Sequence, residues 1–132
     1  MPPENGPAPI LVIDDNEDNR ALYMQVLGAA GFRVAEAGDA EEGLSLAASL
    51  QPALILLDLS MPGVDGWEAA RRLRASTTTA AIPIVALSAH TTGEARARAM
   101  RAGCDDYLPK PTLPEDLLSV ARRFLAEGRG RG

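Results

Sequence analysis

The sequence predicts an α/β protein: a doubly wound, five-stranded parallel sheet with helices on both faces, in strand order 2-1-3-4-5. Three observations predict it. First, Ile10-Leu11-Val12-Ile13, Leu54-Ile55-Leu56-Leu57 and Ile84-Val85-Ala86-Leu87 are apolar throughout, as suits strands buried on both faces. Second, strand and helix patterns alternate five times along the chain. Third, each apolar run ends in polar residues capable of chemistry: Asp14-Asp15, Asp58 and Ser88. Right-handed crossovers gather the carboxyl ends of parallel strands at one edge, where open α/β sheets bind ligands.

The elements follow in order. Residues 1–9, with four prolines, form a disordered lead-in. Residues 10–126 are the folded domain. After the first strand, a helix is expected over about residues 18–30, with Leu22, Val26, Leu27 and Ala30 at helical spacing and Gly31 as its stop. Arg33-Val34-Ala35-Glu36-Ala37 alternates as a short second strand. Four acceptor–Glu pairs, Asp39/Glu42, Asp65/Glu68, Thr91/Glu94 and Thr112/Glu115, are spaced as capping boxes that open the later helices. The fifth strand lies at Asp105-Asp106-Tyr107-Leu108. The last helix covers about 113–126, with Leu117, Leu118, Ala121, Phe124 and Leu125 on one face. Residues 127–132, Glu-Gly-Arg-Gly-Arg-Gly, form a disordered tail.

Bulk properties narrow the function classes. The chain has 132 residues, enough for one domain with a proper core. Its net charge of −5 argues against nucleic acid as a direct partner, which needs clustered cations. No stretch reaches the ~20 apolar residues needed to span a membrane, and the N-terminus lacks the basic and apolar regions of a signal peptide. Cys104 is the only cysteine. It excludes an internal disulfide, fits a reducing, cytoplasmic location, and is expected to pack as a small apolar residue near a strand.

Asp14, Asp15 and Asp58 converge at the switch point between strands 1 and 3. Three carboxylates there repel one another and call for a cation. Mg²⁺ suits such an all-oxygen site, since it takes one or two carboxylates, keeps waters and binds phosphate oxygens. The alternative is that Asp14 and Asp15 cap the following helix and Asp58 starts a turn. Lys110 is the only lysine, beside twelve arginines. It falls just past the fifth strand, at the same edge as the acids, where a compact point charge fits better than a guanidinium. Ser88 offers a hydroxyl donor to a phosphoryl oxygen, or is a turn residue.

With these residues in view, the chain resembles the receiver domain of two-component response regulators, a flavodoxin-like (βα)5 family that includes a chemotaxis regulator. The resemblance rests on Val12-Ile13-Asp14-Asp15-Asn16, on Leu57-Asp58-Leu59-Ser60-Met61-Pro62-Gly63-Val64-Asp65-Gly66, on Leu87-Ser88-Ala89 and on Tyr107-Leu108-Pro109-Lys110-Pro111, in that order. It implies that Asp58 is the phosphoacceptor, charged from a phosphohistidine. It implies Mg²⁺ held by Asp15, Asp58 and the Ser60 backbone carbonyl, with Asp14 acting mostly through metal-bound water. Lys110 then pairs with Asp58 and later with the phosphoryl group. Ser88 moves to bond that group, and Tyr107 swings inward behind it. The Lys110–Pro111 bond is expected to be cis.

Ser60 and His90 stand where the family tunes phosphoryl lifetime; His90, the only histidine, reads equally as an exposed loop residue. Pro109 restricts Leu108 to extended geometry and has no functional account. Val64 replaces a more usual methionine, with no consequence expected. Trp67 is expected to be core or half-buried, near enough to the site to serve as an optical reporter.

The resemblance implies a signalling switch rather than a turnover enzyme, one that catalyses only its own phosphorylation and dephosphorylation. Its partners would be a histidine kinase or histidine phosphotransfer protein and a downstream protein target. The output face is the fourth helix, fifth strand and fifth helix, carrying Arg96, Arg98, Arg101, Arg122 and Arg123; those arginines read alternatively as a solvated surface. A phosphorylation-dependent dimer is left open. A stand-alone receiver is expected, since the chain ends soon after the fifth helix. Two alternatives are a receiver excised from a larger regulator or hybrid kinase, and a Mg²⁺-dependent aspartyl-phosphate phosphohydrolase. The last class usually has a second acid where this chain has Ser60.

Overall fold

The computed structural model describes residues 8–60, 66–89 and 92–128. The elements run β1 (Ile10–Ile13), α1 (Glu17–Ala29), β2 (Val34–Ala37), α2 (Ala40–Leu50), β3 (Leu54–Asp58), α3 (Gly66–Ala75), β4 (Ile84–Ser88), α4 (Gly93–Ala102), β5 (Asp106–Pro109) and α5 (Pro114–Glu127). The strands are parallel, in the order β2-β1-β3-β4-β5. This is the expected doubly wound, flavodoxin-like sheet.

Alternation along the strands divides the core into two layers. Leu11, Ile13, Ile55, Leu57, Ile84 and Ala86 face α2, α3 and α4, where small residues such as Ala47, Ala69, Ala70 and Ala99 let the helices sit close. Ile10, Val12, Leu54, Leu56, Val85 and Leu87 face α1 and α5, against Tyr23, Leu27, Leu117, Ala121 and Phe124. β1, β3 and β4 are wholly buried, which is why those runs carry no polar alternation.

Several helix ends differ from expectation. α1 ends as expected, with Gly31 at φ 97°. Its core face, however, is Tyr23 and Leu27, while Leu22 is exposed. Asp39 caps α2 through the Glu42 amide, but the Glu42 carboxylate reaches Gly38 rather than the cap residue. α4 is capped by Thr92, one residue beyond the predicted Thr91. Thr112 does not cap α5. Pro114 begins that helix, Leu113 precedes it without a side-chain cap, and the Thr112 hydroxyl donates instead to the Pro109 carbonyl at 2.8 Å. Proline is favoured at a first helical position because its missing N–H would be unpaired there anyway. β5 runs one residue later than predicted. Met61 to Asp65, His90 and Thr91 lie outside the described residues, so the expectations for Val64, Asp65 and His90 are neither met nor missed.

At the chain ends, the Pro9 carbonyl accepts from Ala53 at 2.9 Å. α5 extends to Glu127, with Gly128 as its cap. No helix among the described residues is long and apolar enough to cross a membrane.

Candidate functional site

The strand register builds the site as a staircase. Ile13 pairs with Leu57, so Asp14 leaves β1 level with Asp58. Asp58 pairs with Leu87, which puts Ser88 one step beyond it. Ser88 pairs with Pro109, and Lys110 comes next. The Lys110 amide then donates to the Ser88 carbonyl at 2.8 Å, which seats the lysine over the acids.

Asp14, Asp15 and Asp58 each offer a carboxylate oxygen within 4.8 Å of the others. Lys110 Nζ lies 3.3 Å from Asp58 Oδ1 and 3.9 Å from Asp14 Oδ2. Asp58 is 2% exposed, and its Oδ1 also accepts from the Ser60 amide at 3.0 Å. Asp14 is fully buried. It accepts from the Asn16 amide at 2.9 Å and from Asn19 Nδ2 at 3.3 Å. Burial pushes the Asp14 carboxyl above its usual range, and the charge of Asp58 adds to that. The Asn16 amide, Lys110 and Asn19 pull the other way. Asp15 is exposed. The donor set is hard oxygen, crowded on its buried side and open beyond Asp15. That fits a hard divalent cation which keeps some of its waters.

Ser88 is fully buried at the end of β4. Tyr107 on β5 is already buried in the layer containing Ala86 and Ala99, and its hydroxyl has no hydrogen-bond partner among the described residues. Ser60 is exposed beside Asp58. The Lys110–Pro111 bond is cis. Trp67 packs partly buried on the core, and the Arg98 guanidinium stacks 3.9 Å from its ring.

Three contributors were missed by sequence reasoning: Asn19, Arg20 and Tyr23, all on α1. Arg20 Nη1 donates to the Asp14 carbonyl at 2.7 Å. Tyr23 is buried; burial, then the charge of Asp14, raises the pKa of its phenol, with Lys110 opposing. A signal was available. Helical side chains lean toward the N-terminus of their helix, so the first turns of α1 reach back to the loop that carries Asp14.

The family model of the response regulator receiver domain matches residues 10–122. The chain belongs to this family. The response regulator MprA of Mycolicibacterium vanbaalenii is 40% identical over 119 residues, 90% of this chain and 51% of that protein. The chain thus spans about half the length of several curated relatives it matches. An uncharacterized 14.6 kDa protein from the sodA1 3′ region of Leptolyngbya boryana is 37% identical, over 87% of this chain and 88% of its own length. Among solved structures, the Vibrio cholerae chemotaxis protein CheY4 superposes with a TM-score of 0.85 at 29% identity, covering 90% of this receiver domain and 99% of that chain. The receiver domain of the Pseudomonas aeruginosa sensor histidine kinase PA1611 has a magnesium ion coordinated in its active-site cleft. It superposes at 0.84 with 30% identity, covering 92% of this chain and 99% of its own.

Proposed function

We propose that this receiver domain takes a phosphoryl group onto Asp58 from the phosphohistidine of a histidine kinase or histidine phosphotransfer protein, in a Mg²⁺-dependent reaction. What supports this is one constellation: a lysine ammonium 3.3 Å from a buried carboxylate that shares its pocket with two further acids. An Asp58 oxygen attacks phosphorus, the P–N bond to the imidazole breaks, and an acyl phosphate forms while the imidazole nitrogen recovers a proton from solvent. Asp14, Asp15, Asp58 and the Ser60 carbonyl would hold Mg²⁺, which when bound neutralises charge on the phosphoryl oxygens.

The chain's own residues do the rest. Lys110 orients the Asp58 carboxylate before transfer and pairs with the phosphoryl oxygens afterwards. The Ser88 hydroxyl donates to one of those oxygens. Ser60, exposed beside Asp58, tunes the lifetime of the acyl phosphate, a role the family resemblance extends to His90.

The downstream protein target reads the face of α4, β5 and α5. Asp106 on β5 accepts from Arg123 of α5 at 3.0 Å and pairs with Arg96 of α4 at 3.7 Å, so the three elements are tied by one carboxylate. Movement of Ser88 toward the phosphoryl group frees space beside the buried Tyr107 and shifts a two-state equilibrium of this face.

The test is incubation with Mg²⁺ and acetyl phosphate, read by intact mass. The parent chain gains one phosphoryl group and Asp58→Asn gains none. Equal labelling of both would move the acceptor elsewhere, and multiple turnover of organic phosphates would favour a phosphohydrolase.

A further inference from the structure

The acid pocket is held from behind by a side chain that touches none of its three carboxylates. Arg20, on the first turn and a half of α1, has a guanidinium with two short bonds in different directions. Nη1 donates to the Asp14 backbone carbonyl at 2.7 Å. Nε donates to Glu36 Oε1, on β2, at 2.8 Å. The group also lies flat against Gly38: a Cβ there would stand 3.3 Å from Nη1 and 3.6 Å from Cζ. The arginine side chain is 17% exposed against 48% for Glu36, so this is a seated guanidinium rather than a surface fork.

The bonded carbonyl has a particular consequence. The Asp14 amide already donates to the Ala37 carbonyl at 3.1 Å. Asp14 O belongs to the peptide unit that also contains the nitrogen of Asp15. Because that unit is planar, holding its oxygen sets where the Asp15 Cα leaves the strand. Asp14 and Asp58 are fixed by burial and by their own hydrogen bonds. Asp15 is the exposed member of the three. Its carboxylate therefore depends on the backbone to reach the other two.

We infer that Arg20, clamped by Glu36, is a positioning residue that presents Asp15 to the cation shared with Asp14 and Asp58. The inference rests on the magnesium reading above and adds a residue to it. Lysine is a poor substitute, since one ammonium cannot span two acceptors on opposite sides with a fixed plane. Residues behind metal ligands commonly change affinity by about 10- to 100-fold when removed.

The experiment titrates Mg²⁺ alone into the parent chain, Arg20→Met, Arg20→Lys and Glu36→Gln by calorimetry. Acetyl phosphate labelling is then followed across Mg²⁺ concentration. Arg20→Met is expected to weaken Mg²⁺ binding about tenfold and to shift half-saturation of labelling by the same factor, with the maximal rate at saturating Mg²⁺ kept. Arg20→Lys recovers part of the affinity, and Glu36→Gln loses less than Arg20→Met. A structural defect would lower the maximal rate instead and would not be corrected by Mg²⁺. Unchanged affinity in Arg20→Met, beside normal binding by the parent, overturns the assignment of Arg20 alone. If Arg20→Met does not fold, Glu36→Gln decides, and parental affinity there overturns it. Absence of Mg²⁺ binding by the parent overturns the magnesium reading, and this inference with it.

Discussion

Lys110 and Asp58 meet across a gap of 3.3 Å although 52 positions separate them, and the lysine is held there by its own amide on the Ser88 carbonyl. The backbone bond aims the side chain, so removing the ammonium should leave the strand ends in place. Lys110→Ala is expected to retain its far-ultraviolet circular dichroism and to slow labelling by acetyl phosphate by roughly 10²-fold. Lys110→Arg should recover only part, because a planar fork does not fit beside two carboxylates. Labelling of Lys110→Ala at the parental rate would remove the lysine from the reaction.

Asp14 makes stability depend on pH. Its folded pKa is raised by burial and then by Asp58, so the folded state holds the proton more tightly than the unfolded chain. The stabilising contribution is complete below the unfolded value of 3.8 and is lost as pH rises through the folded value. Above the unfolded value, as at pH 7, Asp14 therefore works against folding. Asp14→Asn should therefore raise the melting temperature at pH 7, with the gain shrinking as pH falls toward 4. Mg²⁺ should stabilise the parent more than this variant. Melting curves at the two pH values decide it, and an equal gain at both would refute the sign.

Much of this was readable in sequence, for physical reasons that particular residues illustrate. Buried parallel strands leave continuous apolar runs, and the acids at their ends mark the ligand edge, so Asp14, Asp58, Ser88 and Lys110 could be placed by topology alone. Local chemistry misled where two signals competed. Thr112 and Glu115 carry the capping pattern, but Pro114 dictates the helix start. Thr91 and Thr92 are adjacent acceptors, and nothing local distinguishes them. Leu22 satisfies the helical spacing, yet it is exposed and the neighbouring Tyr23 takes the core. Arg20 and Arg74 were illegible because each reaches backbone carbonyls, one for Arg20 and three for Arg74, which leave no trace in residue type.

Gly66 fits closely against the acceptor strand. A Cβ there would stand 2.6 Å from the Asp58 carbonyl oxygen and would also strike the Leu59 backbone. Backbone atoms cannot turn aside as a flexible side chain does. Gly66→Ala should thus cost about 1–3 kcal/mol and displace Asp58, slowing its labelling more than the stability loss explains. Denaturant titration and intact-mass kinetics together check this. Parental values in both would mean that α3 can retreat without disturbing β3.

Arg74 closes the opposite end of the sheet. Its Nη1 donates to the Ile82 carbonyl at 2.6 Å and to the Ala80 carbonyl at 3.1 Å, and its Nε donates to Gly103 at 2.9 Å. Nη2 reaches Asp105 Oδ2 at 2.6 Å, and that oxygen also takes the Ile84 amide at 2.9 Å. Beside this lock, burial pushes the Cys104 thiol up to about 12, with Asp105 adding to the rise and Arg74 opposing it. At pH 8 the folded protein should react with an aromatic disulfide reagent roughly three orders of magnitude more slowly than an ordinary thiol, through loss of thiolate alone. Denaturant should restore the ordinary rate. Arg74→Met removes the cationic partner of Asp105 and a donor from three carbonyls, so it should cost about 3–5 kcal/mol and expose Cys104 at lower denaturant. Fast reaction of the folded parent would show that the thiol is reached without opening this end of the sheet.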